Sequence, residues 1–511
     1  RTSSRSAGDP FGEWVRHPLP PNAPWSPWQW YDQGRARDFD ALLEQCRDGA
    51  LVRLLLSPLP HVALQNRSHP WNPAESNWTP EENLDRGNPE KCNGFSAFRA
   101  GMSVWDFLAA DPAAPQEDWR SQLFDHQANF WRYLIARWGA SPALGVWVLM
   151  DEMDGIGEVQ SDWALKLGWW ARPECDRWHA NTLRLFRGEL FRADGLRYAG
   201  DPYRRPLHSA TTSYGGQAQR GANLDWDGGP PGARPDLMGW HWYPWWPYGI
   251  SWSQAWGYVI DGVTAYSTAP IEPRPRLIGE CGAPDRYAPQ DRPSPIYPTL
   301  YHHLIWSSLF GGQAGTAMDW DDGKDFGELR WRRRSGAFSA ENYPIDHVAR
   351  IEALRRFLGD LSPEDLQSCL AAEARLRIET APAALPSPAI APTAAGLSPS
   401  TAPRVLALCA RTGPPALYGW LYAPEEPVSF AVRGLGEGEY LLTWYDPWTG
   451  RPIPGLNPQS VRANVLDAAG LPCLKVDAAP ALRALRAAAP PFLIQSRMAR
   501  GDDVAFKLLP R

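Results

Sequence analysis

Two glutamates that follow two separate apolar runs are the residues of this sequence best suited to chemistry. Residues 145–150 form an apolar run that stops at Asp151 and Glu152, and the shorter run 277–279 stops at Glu280. An unbroken apolar run is typical of a strand buried on both faces. Two carboxyl groups about 5 Å apart can cleave a glycosidic bond by double displacement, since one protonates the leaving oxygen while the other attacks the anomeric carbon. The sequence therefore predicts a site built from two glutamates.

Such a site needs a fold that brings the carboxyl ends of separate buried strands together. Helical spacing predicts helices over residues 37–48, 124–138, 176–192 and 300–310, and short apolar runs predict strands over 51–56, 207–211, 237–242, 276–279 and 314–319. This alternation of helix and strand favours a (β/α)8 barrel, in which catalytic residues lie at the carboxyl ends of the strands.

The number of strands falls short of eight. The predicted strand ends are six, namely His61, Glu152, Thr211, His241, Glu280 and Asp319. From His241 to Glu280 and from Glu280 to Asp319 is 39 residues each, against about 31 per unit in a plain barrel. We therefore expect an α/β barrel that lacks its first two strands in this chain, unless they are hidden in the Trp- and Pro-rich opening.

Two further regions complete the predicted organisation. Residues 62–107 are polar and irregular, which predicts a long loop over the active face. Residues 381–403 are rich in Ala, Pro and Ser, and short strand-like runs flank them at 406–409, 417–422, 428–432, 440–445 and 504–509. We expect a barrel over 1–357 and a small all-β sandwich over 358–511.

Composition limits the classes of partner. In a chain of 511 residues the net charge of -6 gives no basic footprint, so no nucleic acid is expected. The 28 Trp residues support a glycan-handling surface, because indole rings stack on sugar rings. The seven cysteines form no CxxC pair, so no metal site is expected. No run of 18 apolar residues predicts a transmembrane segment, and the start without Met indicates an internal point of a longer precursor.

Two other clusters have plainer interpretations. His302 and His303 are adjacent on a predicted helix, where neighbouring side chains point in different directions, so they are not expected to face one ligand together. The aspartates around Gly323 miss the spacing of a calcium loop, which favours a solvated acidic turn.

The order of the strand-end residues resembles that of the clan A glycoside hydrolases, in particular the cellulase and β-mannanase-like barrels that carry a C-terminal β-sandwich. The resemblance covers most of residues 37–350 and returns at 438–450. It implies that Glu152 on strand four is the acid/base and Glu280 on strand seven the nucleophile. It also implies a sugar site whose members are His61, Asp151, Trp240, His241, Trp242, Tyr243, Trp245, Trp246 and Trp320.

The same resemblance implies a retaining β-glycosidase that acts on a β-linked polysaccharide or glycoconjugate without cofactor, outside the cell or at its surface. Carbohydrate is the expected partner, and other subunits or an upstream segment would complete the barrel.

One position departs from the family pattern. Asp151 stands where the family has an Asn whose amide donates to the sugar 2-hydroxyl, and an ionised carboxylate cannot donate that bond. The arginine expected at the end of strand two also has no visible counterpart. The alternative function is therefore a catalytically impaired, glycosidase-derived barrel that serves as a glycan-binding or structural subunit of an extracellular assembly.

Overall fold

A computed structural model of the chain falls into two compact units. Unit 1 comprises residues 1–241 and 272–275, and unit 2 comprises 242–271 and 276–511. The structure describes residues 33–47, 52–55, 108–149, 173–210, 235–242, 256–257, 259–264, 275–281, 296–313, 315, 347–359, 361, 369–371, 377–380, 403–410, 416–424, 428–435, 437–456, 458–463, 465–466, 472–488 and 502–511.

Unit 1 is built from alternating helices and strands. Its elements are α1 (Gln33–Cys46), β1 (Val52–Leu55), α2 (Trp119–Trp138), β2 (Leu144–Val148), α3 (Pro173–Phe186), β3 (Leu207–Ala210) and β4 (Leu237–Trp242). The four strands pair in chain order and every pair is parallel. Parallel strands joined by helices are the α/β arrangement that the sequence predicts.

Helix α2 supplies much of the core of unit 1. The Asp118 side chain caps its first turn by accepting the backbone N–H of Arg120, and Gly139 closes the helix with its N–H on the carbonyl of Ile135. Its apolar stripe is buried and includes Trp131 and Trp138. A helix with one apolar stripe has to bury that stripe against other elements.

Buried indole groups in unit 1 keep their hydrogen bonds. Trp138 Nε1 donates to Asp40 on α1 at 2.7 Å. Trp147 Nε1, on β2, donates to Asp201 at 2.9 Å in the buried interior. These bonds allow large aromatic residues to fill the core without leaving a polar atom unpaired.

Unit 2 begins with strand β5 (Arg276–Cys281) and two helices, α4 (Ile296–Phe310) and α5 (His347–Phe357). Eleven strands and one helix follow: β6 (Cys369–Ala371), β7 (Arg377–Thr380), β8 (Arg404–Ala410), β9 (Leu417–Tyr422), β10 (Ser429–Arg433), β11 (Gly438–Asp446), β12 (Arg451–Pro452), β13 (Gln459–Ala463), β14 (Val465–Leu466), β15 (Pro472–Asp477), α6 (Ala479–Ala488) and β16 (Asp503–Pro510).

These strands form two antiparallel sheets. One has the order β14-β15-β10-β7, and the larger has the order β12-β11-β16-β9-β8-β6 with β13 also on β11. A common apolar core includes Phe430 from the first sheet and Phe506 from the second, whose rings lie 5.2 Å apart. The strands predicted near 406, 417, 428, 440 and 504 are therefore present as β8, β9, β10, β11 and β16. Their grouping into a β-sandwich domain over 358–511 stays a prediction.

The other face of the larger sheet is also buried. Tyr418 and Trp420 on β9 alternate with the core residues Leu417 and Leu421, and all four are buried. On the same face Arg404 binds Asp261 through two bonds of 2.7 and 2.6 Å. This bidentate pair, in which Arg404 is buried and Asp261 is partly exposed, ties β8 to the helical residues 259–264.

Several predicted boundaries differ from the structure. Helix α3 ends at Phe186 and not near Arg192, because Gly188 has a φ of +68° and the N–H of Glu189 bonds the carbonyl of Arg184. This is the usual glycine-terminated helix end. Helix α4 starts earlier than predicted, at Ile296, with Pro298 in its first turn.

Other predictions lie beyond the described residues. These are the opening 1–32, the loop over 62–107, the strand over 314–319 except residue 315, the acidic turn around Gly323 and the segment 381–403 except residue 403. Closure of a barrel is not seen among the described strands, so the (β/α)8 barrel stays a prediction. None of the helices in the described part of the chain is long and apolar enough to cross a membrane.

The close approach of β9 and β16 predicts the effect of one substitution. Gly419 pairs with Phe506, and a Cβ added at residue 419 would overlap the Phe506 ring. We expect Gly419→Ala to lower the free energy of unfolding by about 1–3 kcal/mol, as overpacking does. Urea unfolding measures the change. In a Phe506→Leu background the loss should be smaller, and an equal loss in both backgrounds would rule out this contact as its cause.

Candidate functional site

Three of the predicted strands are present as β2, β4 and β5, and β2 ends at Val148, before Asp151 and Glu152. His241 is the last residue but one of β4, flanked by Trp240 and Trp242, and Glu280 is the last residue but one of β5. The structure describes the backbone of these four residues. The remaining predicted site residues lie outside the described residues, namely His61, Asp151, Glu152, Tyr243, Trp245, Trp246 and Trp320. The predicted site as a whole therefore stays a prediction.

The strand pairing in unit 1 fixes how far β2 and β4 are shifted along each other. Val148 at the end of β2 pairs with His208, and His208 pairs with Leu237 at the start of β4. The end of β2 is therefore level with the start of β4. His241 lies four residues beyond Leu237, and Glu152 follows Val148 in the sequence by the same number of residues.

A second cluster of chemically capable residues lies in unit 2 and is fully described. His302 and His303 on α4 and Asp503 at the start of β16 each have no exposed surface. His302 Nε2 lies 2.6 Å from Asp503 Oδ2. Two indole groups donate to the same carboxylate, Trp420 Nε1 to Oδ2 at 2.7 Å and Trp448 Nε1 to Oδ1 at 3.2 Å.

Aromatic rings surround the two imidazoles. The His302 ring stacks on Trp448 with centroids 4.2 Å apart and an angle of 14°. The His303 ring meets Tyr422 edge to face at 5.1 Å. The guanidinium carbon of Arg350 lies 4.5 Å from the centroid of Trp448. The cluster is thus enclosed by aromatic rings and has no exposed surface.

Burial sets the charges in this cluster. Burial lowers the pKa of His302 well below its usual value, with a further contribution from the positive charge of Arg350. Burial, with the neighbouring His302, lowers the pKa of His303 to about 3. Both rings are therefore neutral near pH 7. Burial raises the pKa of Asp503 to about 6, against the effect of hydrogen bonds from Trp420 and Trp448, so its carboxylate is ionised at pH 7.

Three nitrogen atoms in the cluster lack a hydrogen bond. Among the described residues, neither Nδ1 nor Nε2 of His303 has a partner, and the same holds for Nδ1 of His302. A buried polar atom left unsatisfied in this way costs about 1–3 kcal/mol. The neighbouring indoles of Trp420 and Trp448 are paired, whereas Nε1 of Trp306 also has no partner among the described residues. Two unpaired atoms on one ring call for an explanation.

The structure corrects the expectation that these adjacent histidines cannot face one ligand. One ligand atom each from His302, His303 and Asp503 lies within 4.8 Å of the others. Neighbours on a helix do diverge, but the Asp503 carboxylate lies close to both rings. The only indication of this cluster in the sequence was the His302-His303 pair. Asp503, which completes the cluster, is 201 residues from His302 in the sequence.

Comparison with known proteins adds little. The sequence matches no family model and no curated protein. Among solved structures, the chain is similar to a glycoside hydrolase family 5 protein from Bacteroides vulgatus, with a TM-score of 0.39 and 10% identity, over 93% of this chain and 86% of that one. So distant a likeness does not establish a function for this chain.

The neutral histidines predict a pH dependence of stability. The unfolded chain binds protons on these rings below about pH 6.5 and the folded chain does not, so their contribution to stability is present above that pH and lost as the pH falls. Asp503 acts in the opposite direction, because its raised pKa makes the folded chain bind a proton more readily between about pH 4 and 6.

Replacing one histidine isolates its contribution to the pH dependence of stability. We expect the stability of the wild type to fall relative to that of His303→Phe by about 1 kcal/mol for each pH unit below 6.5. Urea unfolding of both proteins at several pH values between 7.5 and 5, in buffer with a chelator, measures the difference. Asp503 titrates in both proteins, so a difference that stays constant with pH would show that His303 is not held neutral.

Proposed function

We propose that the chain is a retaining β-glycosidase that hydrolyses a β-linked polysaccharide or glycoconjugate outside the cell or at its surface. In this proposal Glu152 protonates the leaving oxygen and Glu280 attacks the anomeric carbon. Water activated by Glu152 then releases the sugar from Glu280, so that the configuration is retained. No cofactor takes part in these steps.

The observation that carries the proposal is the position of the acidic and histidine residues relative to the strands. The strands predicted to carry them occur as β2, β4 and β5, and His241 and Glu280 each fall at the last residue but one of a strand. In unit 1 the strands are parallel, so their carboxyl ends share one edge. That edge is where α/β folds carry their chemistry.

The two carboxyl groups need different protonation states. An acid/base has to keep its proton near neutrality, which burial and a neighbouring negative charge favour. Asp151 directly precedes Glu152 and supplies such a charge. The nucleophile has to stay ionised, and we assign His241 and Tyr243 to hydrogen bonds that hold it and the sugar.

Aromatic residues define the proposed substrate class. Trp240, Trp242, Trp245 and Trp246 surround His241 in the sequence, and Trp320 follows the last predicted strand. Indole faces pack against the apolar faces of sugar rings, so a row of them suits a chain of β-linked sugars. His61 completes the proposed sugar contacts.

Asp151 is the specific observation that favours a second function. As an ionised group it cannot donate the hydrogen bond to the sugar 2-hydroxyl that strengthens in the transition state. The second candidate is a glycan-binding or structural subunit that keeps the sugar site and lacks turnover. Binding of a β-linked oligosaccharide without release of reducing ends would favour it.

Trapping and rescue test the enzyme and the two roles. A 2-deoxy-2-fluoro β-glycoside should label Glu280, as seen in the mass of the modified peptide, because the fluorine slows hydrolysis of the intermediate. Glu152→Gln should lower turnover by about 10²- to 10⁴-fold. Formation of the glycosyl-enzyme should be slowed less when the substrate carries a leaving group that needs no proton. With azide, Glu280→Ala should form the α-glycosyl azide and Glu152→Ala the β-glycosyl azide.

The exposed Glu189 offers a matched control on the surface of unit 1. Glu189→Gln should leave turnover and labelling unchanged. Label on another residue, or azide products of the opposite configuration, would refute the assigned roles. Absence of both turnover and label across a broad panel of sugars would refute the enzyme itself.

A further inference from the structure

The buried cluster on α4 and β16 offers a set of metal ligands. His302, His303 and Asp503 supply two imidazoles and one carboxylate, and one ligand atom of each lies within 4.8 Å of the others. Two histidines and one carboxylate are a ligand set that first-row divalent ions use, and zinc among them. All three residues are fully buried, so the set is enclosed by protein.

A second, independent observation points to a ligand. In the described part of the chain both ring nitrogens of His303 lack a hydrogen-bond partner, although the ring is fully buried. The nearby indoles of Trp420 and Trp448 do have one, since both donate to Asp503. A buried imidazole nitrogen that has no protein partner is available to bind a metal ion.

We propose that His302, His303 and Asp503 bind one divalent transition-metal ion, for which Zn²⁺ is the best fit. Imidazole favours zinc over magnesium and calcium, which prefer oxygen ligands. This site shares no residue with the proposed glycosidase site. The ion would fasten α4 to β16 and thus serve the fold of unit 2.

Binding of the ion requires His302 and Asp503 to separate slightly and ligand atoms that lie up to 4.8 Å apart to approach one another. His302 Nε2 lies 2.6 Å from Asp503 Oδ2, and ligand atoms about 2.0–2.2 Å from one tetrahedral ion lie about 3.3 Å apart. The ion therefore takes the place of the hydrogen between these two atoms. The displaced proton moves to Nδ1 of His302, which has no partner among the described residues.

The remaining contacts of Asp503 would then support the ion. Trp420 and Trp448 donate to the carboxylate from β9 and from the turn after β11. Such outer bonds orient a ligating carboxylate. Three protein ligands leave one position of a tetrahedral ion for a water molecule.

Metal analysis of the full chain tests the proposal. The chain is produced in medium containing zinc, freed of loose metal by gel filtration, and its zinc content is measured by elemental analysis. We expect one equivalent per chain. X-ray absorption at the zinc edge should show two imidazole ligands, and competition with a chromogenic chelator should show an affinity at least about 100-fold lower for His303→Gln.

A matched variant separates this site from other zinc-binding residues. His179 is a buried histidine of unit 1, and His179→Gln should keep the full equivalent. Should His303→Gln not fold, Asp503→Asn replaces it, since it keeps a hydrogen-bond acceptor while removing the charge. The proposal fails if the wild type holds no zinc, if His303→Gln or Asp503→Asn keeps wild-type affinity, or if the absorption spectrum lacks imidazole.

Discussion

A single buried carboxylate, that of Asp503, joins parts of unit 2 that are far apart in the sequence. It pairs with His302 on α4 and accepts N–H groups from Trp420 on β9 and Trp448 after β11. An unpaired carboxylate in such a place would be prohibitively unfavourable. With these donors the Asp503 carboxylate fixes the position of α4 on the sheet, because His302 on α4 has to reach Asp503 on β16.

Successive side chains of β16 point to opposite faces of the sheet, and both faces are buried. Val504, Phe506 and Leu508 enter the core between the two antiparallel sheets. Asp503 and Lys507 are on the opposite face and are also buried. The Lys507 ammonium lies 5.1 Å from the ring centroid of Phe357 and 5.0 Å from that of Tyr445, where the negative ring faces stabilise a cation. Helices cover this face, so its polar residues had to acquire partners inside the protein.

Local patterns predicted the elements far better than they predicted this arrangement. Strands β4 and β9 have the bounds that their apolar runs indicated, because a strand signal depends on a few consecutive residues. Asp503 and Lys507 alternate with apolar neighbours, a pattern that normally marks a solvated sheet face. Helix α6 was missed, although its buried residues Ala481, Leu482 and Leu485 recur at helical spacing. The buried cluster of His302, His303 and Asp503 was missed because its members meet only after residues 201 positions apart come together.

The same contacts give the C-terminal strands a part in the proposed chemistry. Two residues before Glu280, the backbone N–H of Ile278 donates to Oε1 of Gln313, just beyond the end of α4. Helix α4 is in turn held to β16 by the His302–Asp503 contact. Within unit 2 the strand of the proposed nucleophile is therefore set by a helix that the antiparallel sheet holds in place. A nucleophile has to be fixed to within a fraction of an ångström, and a buried hydrogen-bonded anion restricts that helix more closely than apolar packing alone, because its bonds have direction as well as distance.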